Sequence, residues 1–270
     1  MRSVGCLVDS TKCTGCRGCM VACKQWNQLP AVKTNFFEGE GYQNPADLSG
    51  DTYLYMSFHE MENRKTKDVK WVFGRHACMH CDDPGCVSAC PVAALKKTPE
   101  GPVTYDAGIC LGCRYCMIAC PWDIPKFQWF KALPEIRKCT LCADRVAEGL
   151  TPACMKVCPT GALKFGDRAQ LLAEAKKRIK DNPGRYVNHV YGETEAGGTA
   201  LLYISDVPFG NLKLPEKVDG QPRPHLTHGA MSAIPAVIVG LSVILGGTYA
   251  IVKRRGDVEK VTAGKGGGQS

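Results

Sequence analysis

Three features common in enzymes and nucleic-acid binders are missing from this chain of 270 residues. Its 34 Lys and Arg outnumber its 26 Asp and Glu for a formal charge of +8, yet the basic residues are scattered and form no stripe, which argues against nucleic-acid binding. No nucleophile paired with a general base can be picked out, so no catalytic residues are expected in the chain. No apolar leader precedes Cys6, so Ser3-Val4-Gly5-Cys6 is not read as a lipoprotein cleavage site. Cys6 is read instead as a strand residue packed in the core. Long uncharged runs are scarce as well, the exception being Gly229 to Val252.

Cysteine is what the chain has in excess. Sixteen of its 17 cysteines fall into four quartets. The first is Cys13-x2-Cys16-x2-Cys19-x3-Cys23, and the second is Cys78-x2-Cys81-x4-Cys86-x3-Cys90-Pro91. The third is Cys110-x2-Cys113-x2-Cys116-x3-Cys120-Pro121, and the fourth is Cys139-x2-Cys142-x11-Cys154-x3-Cys158-Pro159. The third has the ligand spacing of a ferredoxin [4Fe–4S] cluster. A loop of this kind curls around one side of a cuboidal core, supplying three thiolates and aiming backbone N–H groups at the sulfurs. The fourth cysteine points away, and in two-cluster ferredoxins it ligates the other cluster. Quartets therefore come in pairs, and four of them make two pairs.

Other uses of cysteine were weighed. The fourth quartet, with its 11-residue gap, also passes for a zinc ribbon. Intrachain disulfides suit these tight loops poorly, and a thioredoxin-like Cys-x2-Cys does not sit inside a full quartet. Each oxidised cluster with its thiolates carries about −2, so four contribute about −8 and the apparent basicity reads as countercharge. The expected fold is α+β, with tandem ferredoxin-like [4Fe–4S] units forming two pseudo-symmetric two-cluster subdomains and one C-terminal transmembrane helix. The clusters act as staples, so the apo-chain is expected to be largely unfolded.

Residues 1–165 are expected to form the four-cluster domain, with insertions at about 31–75 and 122–138. The first insertion carries loop signals at Glu38 to Gly41 and Asn44-Pro45, a strand at Thr52 to Phe58, and a second strand marked by alternating Val69, Trp71 and Phe73. Pro99-Glu100-Gly101 reads as a hairpin turn. Residues 166–228 are expected to hold a helix, a strand and a linker. Asp167 caps a helix running to about Asp181 with Leu171, Leu172, Ala175 and Ile179 on one face. Thr199 to Val207 reads as the strand, and residues 208–228, rich in Pro, Gly and Lys, as an extended linker. Residues 229–252 lack charge over 24 residues, about 36 Å of helix, enough to cross a hydrocarbon core of about 30 Å. Lys253-Arg254-Arg255 follows at once and places the tail, 253–270, in the cytoplasm and the cluster domain on the outer face. Ser232, Ala236 and Gly240 form a small-residue ridge suited to a partner helix. With no leader apparent, export is expected to depend on a signal carried by a partner.

The stretches Cys13–Asn27, Asn44–Ser49, Cys78–Pro91 and Lys138–Gly161, together with the single C-terminal helix, resemble the iron–sulfur β subunit of membrane-bound respiratory formate dehydrogenases. Cys113–Pro121, Leu172–Arg178 and Tyr191–Val207 are equally similar to the electron-transfer subunit of quinone-linked [NiFe] hydrogenases. In related nitrate reductase subunits a tryptophan replaces one cysteine of the third quartet. Here all four are present, so four [4Fe–4S] clusters are expected. The resemblance implies crossed ligation: Cys13, Cys16, Cys19 and Cys158 for cluster 1; Cys139, Cys142, Cys154 and Cys23 for cluster 2. Cysteines 78, 81, 86 and 120 would hold cluster 3, and cysteines 110, 113, 116 and 90 cluster 4. Cys23 departs from the pattern because Lys24, not proline, follows it.

The same resemblance implies a non-catalytic subunit with two protein partners. One is a catalytic α subunit with a molybdopterin or tungstopterin site, carrying the export signal and oxidising formate. The other is a membrane cytochrome b γ subunit that reduces quinone. The chain is expected in the inner membrane, in contact with lipid and with no nucleic-acid partner. His225 and His228 read as polar interface residues beside the membrane. His80 is expected to hydrogen-bond near a cluster without ligating it, and Trp26, Trp122 and Trp129 to serve the core or interfaces.

Overall fold

The computed structural model describes residues 3–34, 42–62 and 67–265. Strand β1 (Val4–Asp9) leads into the first quartet and helix α1 (Gly18–Trp26), followed by a long hairpin of β2 (Tyr55–Glu62) and β3 (Val69–His76). The second quartet surrounds α2 (Gly85–Ser88). A short hairpin, β4 (Leu95–Lys97) and β5 (Val103–Tyr105), then carries the chain to the third quartet and α3 (Tyr115–Ile118). The two-residue strands β6 (Lys126–Phe127) and β7 (Ile136–Arg137) precede the fourth quartet with α4 (Ala143–Ala147) and α5 (Ala153–Lys156). Last come β8 (Leu163–Asp167), α6 (Arg168–Asp181), β9 (Leu201–Ile204) and α7 (Arg223–Lys265).

The apolar run at the start of the chain becomes the middle of a three-stranded sheet, ordered β8-β1-β9. Being central, β1 is covered on both faces, so Cys6, Leu7 and Val8 are all buried. Cys6 pairs with Phe165 of antiparallel β8 and with Leu201 of parallel β9, which is the core position expected for it. Helix α6 starts where Asp167 accepts the Gln170 N–H at 3.1 Å, and it buries Leu171 and Ala175 against this sheet. At the end of β1, the fully buried Asp9 carboxylate is held by Arg178 Nη1 at 2.8 Å, Tyr186 Oη at 3.2 Å and Thr11 Oγ1 at 2.6 Å.

The hairpin turn expected at Pro99-Glu100-Gly101 joins β4 to β5, with Gly101 at φ 124°. The alternation Val69, Trp71, Phe73 does mark a strand. Val69 to Trp71 at its start are exposed, while Val72 and Gly74 to His76 towards its end are buried; Trp71 packs on Tyr42 and Phe73 at the surface. The strand expected at Thr52 starts at Tyr55, and the one expected from Thr199 narrows to Leu201–Ile204. The loop signal at Glu38 to Gly41 lies outside the described residues.

Residues 208–228 correct the reading of an extended linker. Phe209, Leu212 and Leu214 are buried in the main core with Val207, and Phe209–Leu212 form a 3₁₀ turn. Four apolar residues at irregular spacing show no period in sequence, so the Pro, Gly and Lys around them dominated. From Arg223 the chain is helical, since Pro224 lies in the first turn, where its missing N–H costs nothing. Helix α7 belongs to a second unit, His225–Ser270, distinct from Met1–Pro224. Among the described residues it is the one helix long and apolar enough to cross a membrane. Its hydroxyls are satisfied within the helix: Ser242 donates to the Ile238 carbonyl at 2.8 Å and Thr248 to that of Leu245 at 2.9 Å. The helix continues through Lys253-Arg254-Arg255 to Lys265, where the sequence reading had placed only a tail.

Replacing Arg178 with Met leaves the Asp9 carboxylate buried without its cation. This is expected to cost about 3 kcal/mol, a fall of roughly 6–12 °C in the unfolding midpoint of the metal-loaded chain. A midpoint within 2 °C of wild type, by scanning calorimetry of the two proteins side by side, would show the ion pair to be dispensable.

Candidate metal centres

Each Cys-x2-Cys loop turns the chain back on itself at its third residue. Gly15, His80, Gly112 and Leu141 occupy that position, and all four have positive φ, at 66°, 49°, 69° and 57°. This backbone aims the third residue's amide at the first sulfur. The Leu141 N–H donates to Cys139 Sγ at 3.3 Å and the Gly112 N–H to Cys110 Sγ at 3.4 Å; the Gly15 N–H bonds Cys13 likewise. At Gly15 a Cβ would lie 2.7 Å from Phe73 Cε1, so any side chain there would have to displace that ring.

In the second, third and fourth quartets the fourth cysteine follows a helix whose length is set by proline. Residues before proline are driven out of the α region, and Pro91, Pro121 and Pro159 follow Cys90, Cys120 and Cys158 directly. Accordingly α2, α3 and α5 are each 4 residues long and stop short of that cysteine. The chain then folds its own amides around the sulfur. Cys90 receives N–H groups from residues 92 to 95, including Ala94 at 3.2 Å, and Cys158 receives those of Leu163, Thr160 and Ala162. Burial opposes ionisation at both thiols, but these donors outweigh it and hold both below the usual thiol value. At Cys120, burial wins over the Ile124 and Trp122 amides and pushes the thiol up to about 12. Lys24 in place of proline lets α1 run on through Cys23 to Trp26. There the Asn27 side-chain amide, at 3.7 Å from Cys23 Sγ, supplies the donor that backbone provides elsewhere.

The fold gathers cysteines from different quartets. Cys158 lines one cavity with Cys13, Cys16 and Cys19, and its charge is felt at Cys13. Cys23 couples to Cys139, Cys154 and Cys142. Cys81 couples to Cys78, Cys120 and Cys86. Cys86, Cys90, Cys110 and Cys116 pack in one apolar cluster with Leu95 and Val103, and Cys86, then Cys110 and Cys113, act electrostatically on Cys116. Cys6 stands apart as the seventeenth, buried between strands, its thiol pushed far up by burial. Burial likewise raises Cys19 and Cys139 to about 12 and Cys86 to about 11, so loading with metal must displace protons from these thiols.

Among the described residues no three His, Cys, Asp or Glu side chains converge as a single metal ion would require. Soft thiols in fours, with amides aimed at their sulfurs, are the donor set that a [4Fe–4S] core fits.

Two buried cations escaped the sequence reading. Arg75, 3% exposed, donates from Nη2 to Cys154 Sγ at 3.5 Å, and its Nε and Nη1 have no hydrogen-bond partner. Lys138 donates to the Val103 carbonyl and, at 2.9 Å, to that of Cys139. Lys138 directly precedes the fourth quartet and was open to notice; Arg75 is a lone arginine in a strand, a residue type that ordinarily faces water. His80 lies between Cys78 and Cys81 of the second quartet. It is fully buried, its Nδ1 accepts the Val103 N–H at 2.9 Å, and burial, then the charges of Lys138, Lys97 and Arg75, keeps it neutral. Trp122 donates to Tyr191 Oη at 2.8 Å beside the core, while Trp26 and Trp129 are largely exposed.

Two family models match, both described as 4Fe-4S dicluster domains, over residues 12–94 and 69–168. The nitrate-inducible formate dehydrogenase iron–sulfur subunit of Escherichia coli (strain K12) is 38% identical over 220 residues, 80% of this chain and 71% of that protein. This chain belongs to the family of formate dehydrogenase iron–sulfur subunits and their hydrogenase relatives. The hydrogenase-2 operon protein HybA of Escherichia coli O157:H7 is 37% identical over 278 residues, 90% of this chain and 84% of its own. A protein of Nitratidesulfovibrio vulgaris Hildenborough is 44% identical over 262 residues, covering 97% of this chain and 69% of its own. Membership brings [4Fe–4S] clusters, and the two overlapping dicluster matches together span all four quartets.

In this iron–sulfur subunit, Gly15→Ala is expected to abolish one cluster while the others load. Iron per chain would fall by about four, the content of one cuboidal cluster. Full iron content in the purified variant would contradict the close approach of Phe73.

Proposed function

We propose that this chain is the electron-transfer subunit of a membrane respiratory complex and holds four [4Fe–4S] clusters. Its function is to carry electrons from a formate-oxidising molybdenum or tungsten subunit to a membrane cytochrome b that reduces quinone. The observation that carries this reading is the meeting of Cys158 with Cys13, Cys16 and Cys19 in one cavity, matched by the coupling of Cys23 to the fourth quartet. The crossed ligand sets follow: cysteines 13, 16, 19 and 158; 139, 142, 154 and 23; 78, 81, 86 and 120; 110, 113, 116 and 90. They make two pseudo-symmetric two-cluster halves within residues 1–165.

When bound, the clusters supply one-electron chemistry. The chain's own residues hold the thiolates, aim N–H groups at sulfur and exclude water, and none acts on substrate. Leu111, Tyr115 and Ile118 beside the third quartet are exposed, as are Trp129, Phe130 and Leu133 of the neighbouring insertion. Arg114 lies over the Trp129 ring at 4.8 Å and so ties these two segments together. So many large apolar side chains in water support burial against a partner subunit. The uncharged stretch 229–252 spans the inner membrane once, with the basic tail in the cytoplasm and the cluster domain outside, exported on the partner's signal. A hydrogenase partner is the second reading, supported by the likeness to HybA.

Metal analysis of the complex is expected to give about sixteen irons per copy of this chain; zinc with little iron would refute the cluster reading. Cys158→Ser is expected to damage the centre held mainly by Cys13, Cys16 and Cys19. Electron paramagnetic resonance should then lose that signal and keep the one attributed to Cys139, Cys142 and Cys154, and the reverse pattern would disprove the crossing. Formate, but not hydrogen, is expected to reduce the clusters of the purified complex. Protease added outside spheroplasts should digest the cluster domain, and its protection there would invert the topology.

A further inference from the structure

Arg75 enters the interior at the end of β3, where Tyr203 Oη fixes its carbonyl at 3.1 Å. Its guanidinium lines the cavity of Cys13, Cys16, Cys19 and Cys158, and also donates to Cys154 of the fourth quartet. It acts electrostatically on Cys13 and Cys19 on one side and on Cys23, Cys139 and Cys154 on the other. No carboxylate ion-pairs with it among the described residues; the acidic groups that respond to its charge are cysteines and Tyr203, beside the neighbouring His76 and His80. A buried guanidinium without a counter-anion is strongly unfavourable, and two of its nitrogens still lack acceptors. Lys138, the other buried basic side chain, spends its donors on carbonyls. The donors of Arg75 are therefore reserved for something negative that two cysteine groups share.

We infer that Arg75 is a positioning residue that sets the reduction potentials of the two clusters formed by the first and fourth quartets, as their common counter-cation and N–H donor. The inference rests on the cluster reading above. Four thiolates around a core of charge +2 carry about −2; one electron added gives about −3, with no bond made or broken and no proton taken up. A fixed positive charge in a water-poor interior stabilises the reduced form more than the oxidised form, and so raises the potential. Because one guanidinium faces both groups, its removal should lower both potentials together.

The test is a redox titration of the purified complex followed by electron paramagnetic resonance, with iron measured on the same samples. Wild-type iron content first decides whether the clusters exist at all. In Arg75→Gln, the equilibrium constant for reduction is expected to fall at least tenfold at two of the four clusters, a downward shift of 59 mV or more for one electron. The clusters of the second and third quartets are expected to stay put. Arg75→Lys, which keeps the charge, should restore most of the shift. A fully loaded Gln variant with all four potentials unchanged would overturn the inference while leaving the cluster reading intact. Should the Gln variant fail to load, spin-echo spectra of wild-type complex carrying ¹⁵N-guanidino arginine take its place. Coupling of that nitrogen to two reduced clusters, lost in Arg75→Lys, supports the assignment, and its absence in wild type overturns it.

Discussion

The constraint on which everything else rests is local: a chain that presents several thiols to one small core must double back within four residues. The left-handed backbone at Gly15, His80, Gly112 and Leu141 is the outcome of that demand, met four times. Two of these residues are not glycine, and each accepts a conformation that disfavours a side chain by about 1 kcal/mol or more. His80 is stabilised there by its bond from Val103, and Leu141 by burial in the main core. The same turn sends an amide toward sulfur, so geometry and electrostatics come from one backbone choice.

Proline sets the second constraint. Where it follows the fourth cysteine, the preceding helix is cut to one turn and the following backbone closes over that sulfur. Where Lys24 stands instead, α1 gains length, and the missing backbone donor is supplied by the Asn27 side chain. A departure that weakened the motif in sequence is thus compensated in structure, four residues downstream and on the same helical face.

The parts of this architecture that follow from short-range rules were legible in the sequence. The quartets, the turn at Gly101 and the Asp167 cap depend on neighbours a few residues away. The misjudged parts depend on distant ones. Residues 208–214 are ordered because Phe209 and Leu212 find a core built from strands far upstream, and no periodicity announces that. Trp71 stays at the surface of β3 because it has an aromatic neighbour there, Tyr42, which makes exposure tolerable. Arg75 escaped notice because a lone arginine in a strand ordinarily faces water, and only the assembled cysteines make its interior position intelligible.

The charge balance shows how scale changes an argument. Summed over the chain, an excess of +8 against about −8 on four clusters reads as general neutralisation. Position alters that picture. Most lysines and arginines lie at the surface, where water and salt weaken their influence on a buried centre more than a few ångströms away. Arg75 and Lys138 are the buried members of the set among the described residues, and Lys97 reaches inward to the Cys81 carbonyl at 2.7 Å. Coulomb energy scales inversely with both distance and effective dielectric, so these few cations outweigh the many outside. The proposed tuning of the clusters therefore rests on the interior cations and not on the surface excess.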